Sequence, residues 1–492
     1  MSSHPEAKSA SVPKTKIVAT IGPATSSREQ LKALILAGVN VFRLNFAHGT
    51  HEQHGSVLQL IRELSDELSK PVAILGDLSG PKIRLGKLPN DEIDCLLGSR
   101  FEFVKGSTGG DVTKLNCTYE YLIDDLNPGD PVLLADGNVG MRVVEKYADE
   151  GRVVCIVEHP GLIRSKQGIN LPGVNLRTPS LTDKDRDDLA WALAHRIDFV
   201  SLSFVRRADD LRHLRQTIED LQKIVSDKHI PQIVAKIEKL EAIQELDGIL
   251  EESDVVMVAR GDLGVEADIV KVPILQKLII KKCGEARVPV ITATQMLDSM
   301  QHSPFPTRAE ATDVANAVLD GTDAVMLSGE TAVGKFPVRT VEVMRRIVME
   351  AETLLATRNF IDARIQPGRK ALEVTEAMTL AAGTAASQLQ ADLIVVITKS
   401  GRTALSMSKQ RHPMPVLAIT KELDTSRKLC LVWGVYPHYA DIQENDPKAV
   451  LSTVLEWGKS NGILKHGSKI ALILDSIWSA EGHDVLMIHT VD

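Results

Sequence analysis

The stretch QIVAKIEKLEAIQELDGILEESDVVMVARGD, residues 232–262, decides the fold. Its two ends, Gln232–Glu238 and Asp254–Ala259, are short β-branched runs without polar alternation, the pattern of strands buried on both faces. Each run stops in charge: Lys236 and Glu238 close the first, and Arg260 and Asp262 lie just past the second. Working outward, runs of the same kind recur at Lys16–Ile21, Val39–Phe46, Val72–Asp77 and Asp198–Ser203 before it, and at Val288–Thr294 and Asp323–Ser328 after it. Helical patterns such as Ser27–Leu36, Asp209–Asp220 and Leu275–Ala286 alternate with them. Eight strand–helix units in succession predict a (β/α)8 barrel.

One interval breaks the rhythm. Between Asp77 and Asp198 the chain is far longer than one helix requires, and its grammar changes to short alternating runs: Arg100–Val104, Pro131–Leu134, Met141–Lys146 and Arg152–Glu158. Turns such as Asp136-Gly137-Asn138 separate them, which predicts a small all-β domain inserted into the larger barrel. After the eighth strand a separate α/β unit is expected, with helices Glu376–Leu389 and Arg402–Arg411 and strands Asp392–Thr398, Pro415–Thr420 and Lys469–Asp475. The expected division is a disordered polar lead at 1–13, the barrel at 14–81 and 183–354, the inserted all-β domain at 82–182 and the C-terminal α/β domain at 355–492.

The composition excludes several classes of function. The 492 residues carry 57 Lys+Arg against 65 Asp+Glu, a net charge of −8, and only 9 Phe, 5 Tyr and 4 Trp. A nucleic-acid surface needs counter-charge for phosphates, so none is expected. The longest apolar stretches, Ala391–Thr398 among them, fall far short of the ~18–20 residues of a membrane span. The N-terminal MSSHPEAKSASVPK has no apolar core of a signal peptide, so a cytoplasmic location is expected. Cys95, Cys117, Cys155, Cys283 and Cys430 are scattered without a paired spacing and read as reduced thiols.

Barrels of this class carry their chemistry on the loops after the strands. Here those loops hold Arg43-Leu44-Asn45, Gly76-Asp77, Lys236-Ile237-Glu238, Arg260-Gly261-Asp262, Thr292-Ala293-Thr294-Gln295 and Ser328-Gly329-Glu330. Lys236 and Glu238, two apart in a strand, project to one face and set an ammonium beside a carboxylate. With Asp262 from the next strand, Glu238 has the hard oxygen donors that Mg2+ prefers, with positions left for water and substrate. A plain ion pair at the barrel rim is the simpler reading of Lys236 and Glu238 alone, and the neighbouring Arg43, Asp77 and Asp262 weigh against it.

Other signals are weaker. Gly329, Gly334 and Lys335 have P-loop spacing, but Phe336-Pro337 stands where a hydroxyl and a running helix are required, so no nucleotide site is expected there. His48, His51 and His54 recur every three residues without a further ligand and read as a solvated helix face. Met296 and Met300 read as core filling. The turn Thr398-Lys399-Ser400-Gly401-Arg402-Thr403 gathers hydroxyls, two cations and backbone N–H groups between a strand and a helix, and is read as a phosphate pocket.

Together these segments resemble the pyruvate kinase family over nearly the whole chain from about Lys14. The matching runs are Lys16–Pro23, Arg43–Gly49, Ile233–Glu238, Met257–Glu266, Thr292–Leu297, Thr307–Glu310 and Met326–Thr331. The resemblance implies a (β/α)8 barrel, an inserted small β-barrel domain acting as a lid and a C-terminal domain for regulation and assembly, with transfer of phosphoryl from phosphoenolpyruvate to ADP giving pyruvate and ATP. It implies Glu238 and Asp262 as ligands of Mg2+ or Mn2+, Lys236 as the cation on the phosphoryl in flight, and Arg43 as its clamp. The backbone around Gly261-Asp262 is implied to take the substrate carboxylate, and Thr294 to line the enolate face where the proton arrives. Asn45, Arg84 and Arg207 fall at nucleotide positions, although many family members have Lys where this chain has Arg207. A homotetramer is implied as well.

Two rival readings stay open at this point. A Mg-dependent barrel lyase or aldolase acting on pyruvate or phosphoenolpyruvate would use the same metal and Arg without needing the lid or ADP. A dead effector-binding relative would be expected to lack Lys236, Glu238 or Asp262, and all are present. The chain also departs from relatives that need K+, in which an Asn, a Ser, an Asp and a backbone carbonyl hold the ion and a Gly-Pro-Glu turn follows. Here the turn is Gly80-Pro81-Lys82, the Ser position is Ala47 and the carbonyl belongs to Leu78, while Asn45 and Asp77 remain. Lys82, with Asp77 as its partner, is therefore expected to replace the monovalent cation, so that K+ is not required. The loop Asp475–Asp484 departs from the Gly-rich loop of fructose-bisphosphate-activated relatives, so the phosphorylated effector expected at Thr398–Thr403 is a sugar monophosphate or AMP.

Overall fold

A computed structural model describes residues 12–225, 229–357, 374–441, 447–475 and 483–492. Eight parallel strands close into a barrel: Lys16–Thr20, Val41–Asn45, Ala73–Asp77, Phe199–Leu202, Gln232–Ile237, Val255–Ala259, Val290–Ala293 and Ala324–Leu327. They neighbour one another in chain order, and the first pairs with the last, Lys16 opposite Ala324. Alternate residues face opposite sides, so both sets must be apolar. Val18, Leu75, Phe199, Val234, Met257 and Ile291 fill the barrel interior, while Ile17, Phe42, Leu44 and Ile74 pack outward against the helices. Each fully buried side chain of this kind contributes roughly 1.5–3 kcal/mol relative to exposure, which is why the apolar runs were continuous.

The insertion leaves the barrel at Gly80, whose φ of +67° suits the absence of a side chain, and returns at Thr182. Asp185 fastens both ends. One of its oxygens accepts the Gly80 N–H at 3.1 Å, and the other accepts the Thr182 N–H and hydroxyl at 2.9 and 2.6 Å in the capping box of helix Asp183–Ala194.

Within the insertion, a six-stranded sheet runs in spatial order from Ile169–Asn170 through Pro131–Leu134, Val139–Tyr147, Arg152–His159 and Arg100–Val104 to Lys114–Leu115. A two-stranded ribbon, Glu92–Cys95 with Gly161–Arg164, lies beside it. Residues 83–86 close the two sheet edges into a barrel. On one side Leu85 N–H donates to the Gln167 carbonyl and Ile169 N–H to that of Ile83, at 2.8 and 2.9 Å. On the other, Gly86 N–H donates to Asn116 and Thr118 N–H to Arg84, at 2.8 and 2.9 Å. Closure removes the exposed edges that an open sheet of this size would present.

The C-terminal unit is a five-stranded sheet in the order Val435–Tyr439, Val416–Thr420, Leu393–Ile397, Lys469–Asp475, His483–Thr490, parallel except for the last strand. It sits at the end of the large barrel opposite the lid. Cys430 and Leu431 plug the barrel interior, and Lys409 and Arg411 pair with the buried Asp323 at the start of the eighth strand. The cysteines are buried in these cores, Cys117 less fully, and burial pushes the Cys283 and Cys430 thiols up to about 12. Among the described residues no helix is long and apolar enough to cross a membrane.

Candidate active site

The strand ends bring four cation and carboxylate groups into one cluster at the lid-facing mouth. Arg43, near the end of the second strand, donates through Nε to Asp77 Oδ2 at 2.8 Å, again to the same oxygen through Nη2, and through Nη1 to Thr20 Oγ1 at 3.0 Å. Asp77 Oδ1 accepts the Ser201 hydroxyl and lies 3.4 Å from Lys236 Nζ. Lys236 also reaches Glu238 Oε1 at 3.0 Å and the Ser203 hydroxyl at 2.7 Å. Glu238 Oε2 accepts the Phe204 N–H at 2.6 Å. Lys236 and Glu238 therefore share a face, as their spacing requires.

The electrostatics follow from burial. Burial opposes the charge of Asp77, yet the Lys236 ammonium and Arg43 guanidinium outweigh it and hold its carboxyl at about 2. Burial also opposes the Lys236 charge, but Asp77 and Glu238 more than restore it, so this lysine keeps its proton more tightly than a free one. Glu238 goes the other way. Burial raises its pKa, Lys236 lowers it, and the negative charge of Asp262 raises it again, with a net upward shift. The charge of Asp262 thus bears on Glu238, and a divalent ion held by both carboxylates would relieve that repulsion. That donor chemistry fits Mg2+. Mg2+ commonly takes one or two carboxylates and fills its remaining positions with water and substrate oxygens, a share that Glu238 and Asp262 would supply.

After the sixth strand, helix Arg260–Ala267 begins, so the N–H groups of its first turn, which have no partner within the helix, lie at the mouth beside Asp262. The Gly261 N–H donates to Thr294 Oγ1 at 2.8 Å, and that hydroxyl donates to the Ala293 carbonyl at 2.7 Å. Thr294 and Gln295 have φ of +69° and +52°. A left-handed β-branched residue costs roughly 1–3 kcal/mol and persists only where its surroundings hold it.

The lid closes over this mouth. Arg206 grips the lid's return segment through the Leu176 and Thr178 carbonyls at 3.0 and 3.2 Å, and the buried pair Lys239–Glu266, at 2.7 Å, meets lid Asn170 at 3.5 Å. Arg84 lies in the closing segment of the lid with Nη1 on the Lys166 carbonyl at 3.2 Å, and Arg207 is exposed where helix Ala208–Val225 begins. The Asn45 side-chain oxygen accepts the Ala47 N–H at 3.1 Å.

Several expectations need correction. Lys82 does not pair with Asp77, whose oxygens are engaged by Arg43, Ser201 and Lys236; its ammonium lies 4.0 Å from Asp262 Oδ1. His48 is exposed just ahead of helix His51–Glu67, but His51 and His54 do not form a solvated face with it. His51 stacks on Trp191 and pairs with the buried Asp188 at 2.8 Å, and His54 meets Phe46 and Trp191 edge-on or tilted. Glu330 does not face the mouth; it is buried and accepts the N–H groups of Leu297 and Ser328 at 3.1 and 2.7 Å. Gly334 is required by packing, since a Cβ there would collide with the Glu330 carbonyl.

Sequence reasoning missed Ser201 and Ser203. The signal was two hydroxyls two apart in the otherwise apolar FVSLS, on the face that meets Asp77 and Lys236. It also passed over Arg260, which holds the Thr294 loop. In the C-terminal unit, Thr398 Oγ1 accepts the Gly401 N–H at 3.0 Å, and Lys399, Ser400 and Arg402 are exposed at the head of helix Arg402–Ser408. Residues 476–482 of the loop Asp475–Asp484, and residues 1–11 of the lead, lie outside the described residues.

Comparison with known proteins agrees with this geometry. The family model "Pyruvate kinase, barrel domain" matches residues 12–341, and "Pyruvate kinase, alpha/beta domain" matches residues 376–489. The pyruvate kinase of Geobacillus stearothermophilus is 43% identical over 459 residues, covering 93% of this chain and 77% of the relative. That of Clostridium acetobutylicum is 41% identical over 461 residues, covering 93% and 95%. A crystal structure of a pyruvate kinase from Cryptosporidium parvum superposes with a TM-score of 0.90 at 36% identity, covering 98% of this chain and 96% of that one.

Proposed function

The chain belongs to the pyruvate kinase family, and from that premise we propose that its mouth transfers the phosphoryl group of phosphoenolpyruvate to ADP, giving ATP and an enolate that is protonated to pyruvate. The observation that carries this reading is the cluster at the strand ends in which Lys236, largely buried and held charged by Asp77 and Glu238, joins Arg43 through the Asp77 they share. Phosphoryl transfer needs positioning and charge neutralisation more than covalent chemistry, and this cluster supplies both. Arg43 clamps the phosphate, and its own partner Asp77 fixes the guanidinium in place. Lys236 stabilises the phosphoryl between donor and acceptor oxygens. The Gly261-Asp262 backbone takes the substrate carboxylate, and Thr294 lines the face where C3 of the enolate receives its proton. Asn45, Arg84 and Arg207 face the nucleotide. Glu238 and Asp262 would hold Mg2+ or Mn2+, which when bound would supply neutralisation of phosphate charge and polarisation of the reacting oxygens.

A lyase on the same scaffold would release pyruvate without a nucleotide. Pyruvate formation from phosphoenolpyruvate and Mg2+ is expected to stop when ADP is omitted; undiminished formation without ADP would favour the lyase.

K+-independence through Lys82 belongs to the same reading. Ala47 offers no hydroxyl, Asp77 is held by Arg43, and the Leu78 carbonyl already accepts the Ser203 hydroxyl at 2.8 Å, so little remains to cage a monovalent ion. The Lys82 ammonium near Asp262 supplies the charge instead. Full turnover is expected in tetramethylammonium buffer, and Lys82→Glu is expected to lose activity there and regain part of it with K+. Strict dependence of the native enzyme on K+ would sink this assignment.

We further propose that the Thr398–Thr403 turn binds a sugar monophosphate or AMP, which lowers the apparent substrate KM. The C-terminal unit packs on the end of the barrel opposite the mouth, so the coupling is allosteric. Ser400→Glu puts a carboxylate on the exposed turn and is expected to abolish the response to such effectors; an unaltered response would show that the phosphate lies elsewhere. Assembly as a cytoplasmic homotetramer completes the reading, supported by the apolar Ile269, Val270 and Ile274, which are 65–73% exposed in a single copy.

A further inference from the structure

We infer that Arg260 is a positioning residue of the reaction: it touches no substrate, and it holds Thr294 in the strained conformation from which the hydroxyl serves the enolate. The inference rests on the reading of Thr294 given above and deepens it. Arg260 is 10% exposed, and each of its guanidinium nitrogens is bound. Nε donates to the Ala293 and Thr294 carbonyls, both at 3.2 Å, and Nη2 donates to the Thr294 carbonyl at 2.7 Å and to Met296 Sδ at 2.8 Å. Nη1 anchors the fork on the far side, to Gln276 Oε1 at 3.3 Å and Asp313 Oδ1 at 2.8 Å.

The placement has a physical reason. The seventh strand ends at Ala293, so the Thr294 carbonyl has no partner in the sheet and must find a donor elsewhere. Two guanidinium nitrogens supply it, with the planar fork that lysine lacks. The next residue, Gly261, completes the grip by giving its N–H to Thr294 Oγ1. Arg260-Gly261 therefore holds Thr294 by its main chain and its side chain at once, in a left-handed conformation that a β-branched residue does not adopt unaided. Without the guanidinium the loop relaxes toward negative φ, and the hydroxyl leaves the mouth.

The test uses the exchange of pyruvate methyl hydrogens with solvent deuterium, followed by proton NMR with Mg2+ and ATP present. In it a C–H bond breaks, its proton passes to solvent, and a C–D bond forms at the same carbon. Arg260→Met is expected to slow exchange ~10²-fold, the scale of a misplaced group, and to cause no further loss in a protein already carrying Thr294→Ala. Should Arg260→Met lose its native circular dichroism, Arg260→Lys, which keeps the charge without the fork, carries the same cycle with a smaller loss expected. Equal losses in both backgrounds would overturn the positioning role while leaving Thr294 in place. Wild-type exchange by Thr294→Ala alone would remove Thr294 from the reaction and the inference with it.

Discussion

Lys236→Met is expected to lower phosphoryl transfer by at least ~10²–10³-fold, the usual result of removing one preorganised charge donor from a reacting centre. The side chain is 12% exposed and lies 3.0 Å from Glu238 and 3.4 Å from Asp77, so its charge acts at short range where water screens little. Removing one partner of a buried pair generally costs about 3–5 kcal/mol of stability. Here the remaining carboxylates keep other partners: Asp77 retains Arg43 and Ser201, and Glu238 retains the Phe204 N–H. The variant is therefore expected to fold and to bind Mg2+, with its melting temperature reduced. Turnover above about a tenth of wild type, roughly 1.4 kcal/mol of transition-state stabilisation lost, would remove Lys236 from the role assigned to it.

Glu238→Gln is expected to raise the Mg2+ concentration needed for half-maximal activity at least ~10²-fold, since even residues that only support a metal ligand cost 10–100-fold when altered. The carboxyl of Glu238 is pushed up by burial and by Asp262, so a neutral amide removes a repulsion in the metal-free protein while it removes the charge that attracts the cation. Metal titration and thermal melting are thus expected to diverge, with affinity lost much more steeply than stability. Asp262→Asn is expected to shift the metal titration in the same direction. An unchanged titration in either variant would mean that the ion lies elsewhere.

The large barrel was legible because parallel strands buried on both faces leave continuous apolar runs, and each described strand lies inside its run with both ends within two residues. The C-terminal sheet was read less completely. Val435–Tyr439 contains Pro437, which breaks a strand pattern but is tolerated on an edge, and this strand is an edge of its sheet. The closure of the lid depends on residues 83–86, whose hydrogen bonds reach to Asn116 on one side and Gln167 on the other. No local pattern encodes pairings at such separation. In the site, charges at strand ends were readable because the barrel architecture alone brings them together. What escaped was the choice among partners. Asp77 stood open to Lys82 in sequence, yet Arg43 on the adjacent strand reaches it with two nitrogens, and register decides the competition. Arg260 escaped for a related reason: its neighbours Gly261 and Asp262 drew the chemical reading, and the carbonyl it holds becomes an unpaired acceptor only where the seventh strand ends.

The most direct test of the account is phosphorus NMR of the native enzyme with phosphoenolpyruvate, ADP and Mg2+, read against pyruvate in the same tube. The account predicts that the phosphoenolpyruvate resonance is replaced by the γ-phosphate of ATP, with one ATP formed for each pyruvate. Pyruvate accompanied by inorganic phosphate, with ADP unconsumed, would contradict it.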